Sequence, residues 1–555
     1  MPTKGSSRVA VGAATPSFRA PVGLSRATDV LVIGGGPSGA WAAVAAAEAG
    51  ASVTLVDKGY HGTSGATAPS NTGTWCVPPG RHRGPAVARR WERTLGLGDP
   101  RWMLRLVDRC YENLQRLVEW GYPFPSEESG LLYTANLRGP DYMRFMRARV
   151  LAAGVRILDH HPATELLSDG ATVTGAAGLV RATGEDWRIE AGAVVLATGG
   201  CAFFERILGG TGLTGDGLLM AAEAGASLSG MEFTGKYTLA PHDSSLNKGL
   251  PFRWASFHDA SGEPLRDAAG EPVANGIGPA EKDVARALIA GPVYARLDLA
   301  DAALQDWLRR GQPNCFLPYD RLGLDPFRDL FRVTLRAEGT VRGTGGIRIL
   351  GSECATEVPG LYAAGDAATR ENVAGATSGG GSVNASWAMS SGWWAGRGAA
   401  GYARRRGGPA SFRRVSKPLG AAGLRPATAP RPIDTRAVIA AVRDEVIPLE
   451  KNYFRDGARL AASRDALEAL WREVRAHLVG EGAARLRARE TASVTAAARW
   501  SVAAALARTE SRGMHRRTDR PDRDDALGVS LLVGGLDTVT VGPAAPVEVR
   551  GERAS

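Results

Sequence analysis

The residues with the clearest chemistry are six consecutive positions, Gly34-Gly-Gly-Pro-Ser-Gly39, followed later by an acid at Asp57. Together they can hold a dinucleotide. Gly34 permits a tight turn after a strand, Gly36 lets the backbone approach a pyrophosphate, and Gly39 lets the next helix lie close to that strand. The N-terminus of that helix offers unpaired backbone amide donors to phosphate charge. Asp57 stands 23 residues past Gly34, the spacing at which a carboxylate accepts from ribose hydroxyls. A glycine pattern alone is weak, but its neighbours supply the context. Asp29-Val-Leu-Val-Ile33 is an apolar, β-branched strand, Ala40 to Gly50 is an alanine-rich helix, and Ser52-Val-Thr-Leu-Val56 is a second strand.

Further strands run into small-residue turns. Ala193-Val-Val-Leu-Ala197 ends in Thr198-Gly199-Gly200, Thr214-Gly-Asp-Gly217 contributes Asp216, and Leu361-Tyr-Ala-Ala364 ends in Gly365-Asp366. The five cysteines, Cys76, Cys110, Cys201, Cys315 and Cys354, are never closer than 34 residues. That spacing gives no zinc or iron–sulfur ligand run and fits a reduced, cytoplasmic setting.

The elements that must position these residues fill 555 residues, enough for two or three domains. Hydrophobic residues at 44% and charged residues at 22% fit a globular chain rather than a disordered or fibrous one, and no apolar run is long enough to span a membrane. The net charge of +10 points toward nucleic acid until its distribution is read. Residues 1–26 carry four basic side chains and no acid, and residues 404–436 carry nine against Asp434 alone. The remainder is slightly acidic, with no basic stripe along a helix, so nucleic-acid binding is the weaker reading. The first 26 residues have no continuous apolar core and read as a loose leader, not a secretory signal.

Leu104, Val107, Leu114, Leu117 and Val118 give an amphipathic helix over 100–120, and Leu467, Leu470, Trp471, Val474 and Leu478 give another further on. The stretch 233–334 is rich in turns and suits a cap. Trp393-Trp394 reads as core packing in a small-residue helix.

Four separated segments then agree. The glycine fingerprint with Asp57, the Ala197–Gly200 and Thr214–Gly217 pair, Gly360-Leu-Tyr-Ala-Ala-Gly-Asp366, and Glu510-Ser-Arg-Gly513 with His515 and Asp519 resemble the flavoproteins of the fumarate reductase, succinate dehydrogenase, L-aspartate oxidase and adenylylsulfate reductase group. The resemblance spans about 28–525. It implies an α/β fold: a Rossmann-like FAD-binding domain interrupted by a capping α+β domain and followed by a C-terminal helical domain. The expected boundaries are a disordered leader at 1–27, FAD-binding parts at 28–232 and 335–403, the cap at 233–334, a basic linker at 404–436, the helical domain at 437–525 and a tail with short strands at 526–555.

The same resemblance implies FAD contacts at Gly34, Gly36, Pro37, Ser38, Gly39, Asp57 and Lys58. It implies others at Ser64, Thr67, Asn71 and Gly73 beneath the flavin, Ala163 at adenine, and Thr198, Gly199 and Asp216. Gly365 and Asp366 fall at the ribityl chain, Ser382 and Val383 near the ring. The second glycine–acid turn favours FAD over NAD, because a two-ended site needs it. Several relatives attach flavin through a histidine; Gly65 stands at that position, so the FAD is expected to be non-covalent, and His61 reads as an exposed loop histidine.

The family's dicarboxylate site does not survive. Tyr237 stands where a histidine is usual, Lys282 where an arginine donates the proton, Val341-Arg342 where a second histidine lies, and Thr377-Ser378 where an arginine binds carboxylate. Lys282, Tyr237 and Arg342 remain the catalytic candidates. The expected activity is hydride transfer between flavin N5 and a small organic substrate other than fumarate or succinate. The alternative is a flavoprotein subunit, similar to that of adenylylsulfate reductase, exchanging electrons with a separate ferredoxin-like iron–sulfur partner. Neither reading involves nucleic acid or a membrane span.

Overall fold

The β-branched run predicted as the first strand forms the centre of an eight-stranded sheet in the computed structural model, which describes residues 25–126, 128–278, 280–407 and 416–544. Strand Ser25–Ile33 pairs in parallel with Val53–Val56 on one side and Asp186–Leu196 on the other, with Val30 opposite Val53 and Leu31 opposite Val194. Val30, Leu31 and Val32 are fully buried, as expected of a strand covered on both faces. Arg156–Leu158 extends the parallel edge, and Ala163–Ser168 and Val173–Leu179 continue the other side antiparallel. Leu361–Ala363 also joins Asp186–Leu196 in parallel, which brings the second glycine–acid turn to the same sheet end as the first.

The alanine-rich helix Pro37–Glu48 packs on the long helix Gly380–Arg405. Small residues permit the approach: a Cβ on Gly392 or Gly396 would overlap the carbonyls of Ser38 or Ala42. Trp393 and Trp394 are buried in this layer, against Trp41 and Trp102 respectively.

A second, antiparallel sheet is ordered Tyr237–Pro241, Phe331–Ala337, Val293–Arg296, Ser256–His258. It has its own core, including Phe257, Val333, Phe331 and Tyr319. Helices Thr435–Val446, Gly457–His477 and Ala484–Ala507 follow, the last almost wholly buried. At its end Arg508 donates to Glu232 at 2.8 Å and to Glu510 at 2.9 Å, and His515 bridges Arg455 and the Arg508 carbonyl. Strands Leu531–Gly534 and Thr540–Pro543 form the terminal hairpin.

Two expectations change. The leader ends sooner than residue 27, because strand pairing begins at Ser25; residues 1–24 lie outside the described residues. The described part of the basic linker is not loose. Lys417–Pro418 pairs with Ala163–Ser168, Ala422 is buried, and Arg425 pairs with Glu165. Its arginines find carboxylates on the body, an interaction composition does not reveal.

Candidate active site

The strand ends and glycine turns converge on a cavity of about 1170 Å³. From the first turn it is lined by Gly34, Gly36 and Ser38, and from the loop beyond the second strand by Asp57, Lys58, Ser64, Thr67 and Asn71. Ala163, Thr198, Gly199, Asp216 and Asp366 complete the lining expected from sequence, and Arg342 enters from the loop after the cap sheet. Pro37, Gly39, Gly73, Gly365, Ser382 and Val383 shape the neighbouring backbone but do not line it; Gly381 and Asn384 occupy the wall beside the last two.

Local geometry suits a dinucleotide. Gly34 has φ +108°, and a Cβ there would strike the Ala197 backbone. Gly36, Gly65 and Gly381 face open space where a Cβ would stand. Gly36 precedes helix Pro37–Glu48 without a side-chain cap, so the helix start keeps donors for phosphate oxygens. Asp57 Oδ2 accepts from the Gly35 amide at 2.5 Å, and Oδ1 accepts from the Gly59 amide at 2.7 Å and the Ser64 hydroxyl at 2.6 Å. A carboxylate has about four acceptor positions, so Asp57 braces both loops and keeps capacity for a ribose hydroxyl. These residues fit FAD.

Lys58 is occupied by protein groups. It donates to Thr214 at 2.8 Å and pairs with Asp216 at 2.7 Å and Glu490 at 3.1 Å. Burial disfavours its ammonium, but the two carboxylates outweigh that and raise its pKa. Asp366 is held by Arg370 at 2.5 Å. Arg370 is fully buried and also donates to the carbonyls of Thr340, Val341 and Gly343, which fixes the loop presenting Arg342. Arg342 pairs with Glu338 across 3.0 Å, and Thr238 donates to the same carboxylate.

Two catalytic candidates stand elsewhere. Lys282 is exposed on the first turn of helix Ala280–Ala290, while its neighbour Glu281 turns inward to Lys236 at 3.0 Å. A solvated ammonium at that helix face is the lower-energy choice, and the proton-donor reading fails in this arrangement. Tyr237 is fully buried but outside the cavity, its ring edge-on to Tyr453. Burial raises its phenol pKa, which argues against an ionised role. His61 is also corrected: it is fully buried, not exposed. Its Nδ1 contacts the Gly35 carbonyl at 2.6 Å, and among the described residues its Nε2 has no partner. Burial lowers its pKa, so the neutral ring braces the glycine turn.

Sequence reasoning missed Arg181, Arg487 and Phe204 in the lining. Arg487 lies over Phe204 from helix Ala484–Ala507, a pairing that no local pattern announces.

Residues 29–237 match the FAD binding domain family, and residues 448–536 match the fumarate reductase flavoprotein C-terminal family. The L-aspartate oxidase of Mycobacterium tuberculosis is 28% identical over 534 residues, covering 92% of this chain and 96% of the relative. The fumarate reductase flavoprotein subunit of the same species is 28% identical over 566 residues, covering 90% and 93%. Among solved structures, a mutant of E. coli quinol fumarate reductase FrdA superposes with TM-score 0.77 at 21% identity, covering 96% of this chain and 99% of the other. Adenylylsulfate reductase from Archaeoglobus fulgidus gives 0.72 at 20% identity, covering 96% and 98%.

Proposed function

Because this chain belongs to the flavoprotein family of fumarate reductase, L-aspartate oxidase and adenylylsulfate reductase, and is an FAD-dependent oxidoreductase, we propose that it transfers hydride to or from a small organic substrate that is not a C4 diacid. One observation carries this reading. Of the four segments expected to hold a dicarboxylate, only Val341-Arg342 sends a cation into the cavity: Tyr237 is turned away, Lys282 is exposed and Ser378 is uncharged. Arg342, beside Val341, is the charge that remains.

When bound, FAD supplies a two-electron centre. The chain's own part is positional. The glycine turn and helix start receive the pyrophosphate, Asp57 takes a ribose hydroxyl, and Arg370 holds Asp366 and the 340–343 loop so that Arg342 faces the substrate space. From the cap, Gln312 accepts from Asn71 at 3.4 Å, a contact between the cap and the loop expected beneath the flavin. The FAD is proposed to be non-covalent because Gly65 has no attaching side chain.

A second reading, electron exchange with a ferredoxin-like iron–sulfur partner, draws support from the relative named as a subunit; the partner would have to bring the cluster, because the five cysteines here are free and dispersed. The free thiols also support a reduced, cytoplasmic compartment. Among the described residues no helix is long and apolar enough to cross a membrane. An anaerobic screen of organic acids, amines and enones for bleaching of the oxidised flavin band tests the first reading. Bleaching only by a reduced iron–sulfur protein would favour the second.

A further inference from the structure

The flavin cavity takes part of its wall from a second region of the chain. The FAD binding domain match ends at residue 237, yet Ala483, Leu486, Arg487 and Glu490 line the cavity from the start of helix Ala484–Ala507, inside the separately matched segment 448–536. Each of the two charged residues meets a partner that also lines the cavity. Arg487 lies over the Phe204 ring at 4.8 Å, and Glu490 pairs with Lys58 at 3.1 Å. Arg487 and Glu490 pair with each other at 3.4 Å, so both contacts come from one turn of helix. Phe204 is held in an uncommon backbone: Phe203 and Phe204 have φ of +51° and +54°, and both carbonyls accept from Arg443 of helix Thr435–Val446. Such strain persists only where the surroundings fix it. Arg487 is half-exposed, whereas Arg489 is buried and paired with buried Glu223, so the helix is anchored just beyond the turn that borders the cavity.

We infer that Arg487 and Glu490 retain the FAD, so that the helical region completes a cofactor site which the FAD-binding domain leaves open. Both are positioning residues. Glu490 holds Lys58 from one side while Asp216 holds it from the other, at 2.7 Å, which fixes the residue directly after Asp57. Arg487 stacks on Phe204 and closes the edge of the cavity with a guanidinium and a ring. A contact of this kind is too weak to set the fold, but it is strong enough to set how fast a bound dinucleotide leaves. Release requires the first turn of the helix to lift from Phe204 and Lys58, a local opening that leaves the Arg489–Glu223 anchor in place. The proposal rests on the reading of the FAD as non-covalent.

The test uses the full chain loaded with FAD, diluted and filtered, with flavin in the filtrate followed over time. Arg487→Ala, Phe204→Leu and Glu490→Gln should each speed release by about threefold or more. Arg487→Ala and Phe204→Leu combined should release little faster than either alone, because the two remove one contact. Arg487→Lys keeps a cation over the ring and should restore slow release. Arg431→Ala, which breaks an exposed pair with Glu473 away from the cavity, should release as the wild type does. Without FAD, Arg487→Ala should melt at the wild-type temperature, and only the rise on adding FAD should shrink, which separates retention from a general loss of stability. Wild-type release from Arg487→Ala and Glu490→Gln, or equally fast release from Arg431→Ala, overturns the proposal. Flavin that stays with the acid-denatured polypeptide contradicts the non-covalent reading instead. The proposal is then tested by amide hydrogen exchange over residues 484–490 in protein made with and without riboflavin: bound FAD should slow exchange there, and no slowing overturns it.

Discussion

The Tyr237 hydroxyl donates to the backbone carbonyl of Ile447 across 2.7 Å, joining the first strand of the cap sheet to the segment that opens the helical region. A side chain expected at the substrate therefore serves as a tie. Tyr237→Phe should cost about 1–3 kcal/mol, because it leaves a carbonyl without its donor, and should leave FAD content unchanged. Loss of flavin on this substitution would place Tyr237 at the site after all.

Acid precipitation should release intact FAD into the supernatant, since Gly65 stands at the attachment position and His61 is turned into the glycine turn. Flavin absorbance remaining with the pellet would contradict this, and His61→Ala would then show whether His61 is the point of attachment.

Stability should fall as pH rises from about 5 to about 7. Glu371 is buried, one of its oxygens has no partner among the described residues, and burial and nearby Glu232 push its pKa up to about 7. The unfolded carboxyl has the lower pKa, so the folded state binds more protons across this window, and raising pH favours unfolding. The full effect is on the order of 3 kcal/mol. Glu371→Gln should flatten the dependence of melting temperature on pH and stabilise the protein at pH 8. An unchanged slope would assign the effect to other groups.

The flavin half of the site was legible because its signals are local. Strand, glycine turn and helix are contiguous at residues 29–50, and Asp57 follows at a fixed spacing. The substrate half was not, because it depends on which way side chains turn. Glu281 and Lys282 are adjacent on one helix, and only packing decides that Glu281 faces Lys236 while Lys282 faces solvent. The linker misread has the same origin: Pro, Gly and Arg content predicts looseness, but Arg425 and Arg431 meet Glu165 and Glu473.

The central claim is that the cavity no longer holds two carboxylates. It is tested most directly by supplying the FAD-loaded protein with a reduced viologen dye and fumarate, and following dye oxidation. With Arg342 the single cation that these four segments turn toward the cavity, and loss of even one charged partner typically costing about 2–5 kcal/mol, no oxidation above the dye's background is expected. Brisk, saturable turnover of fumarate would contradict the account and return those four positions to the substrate.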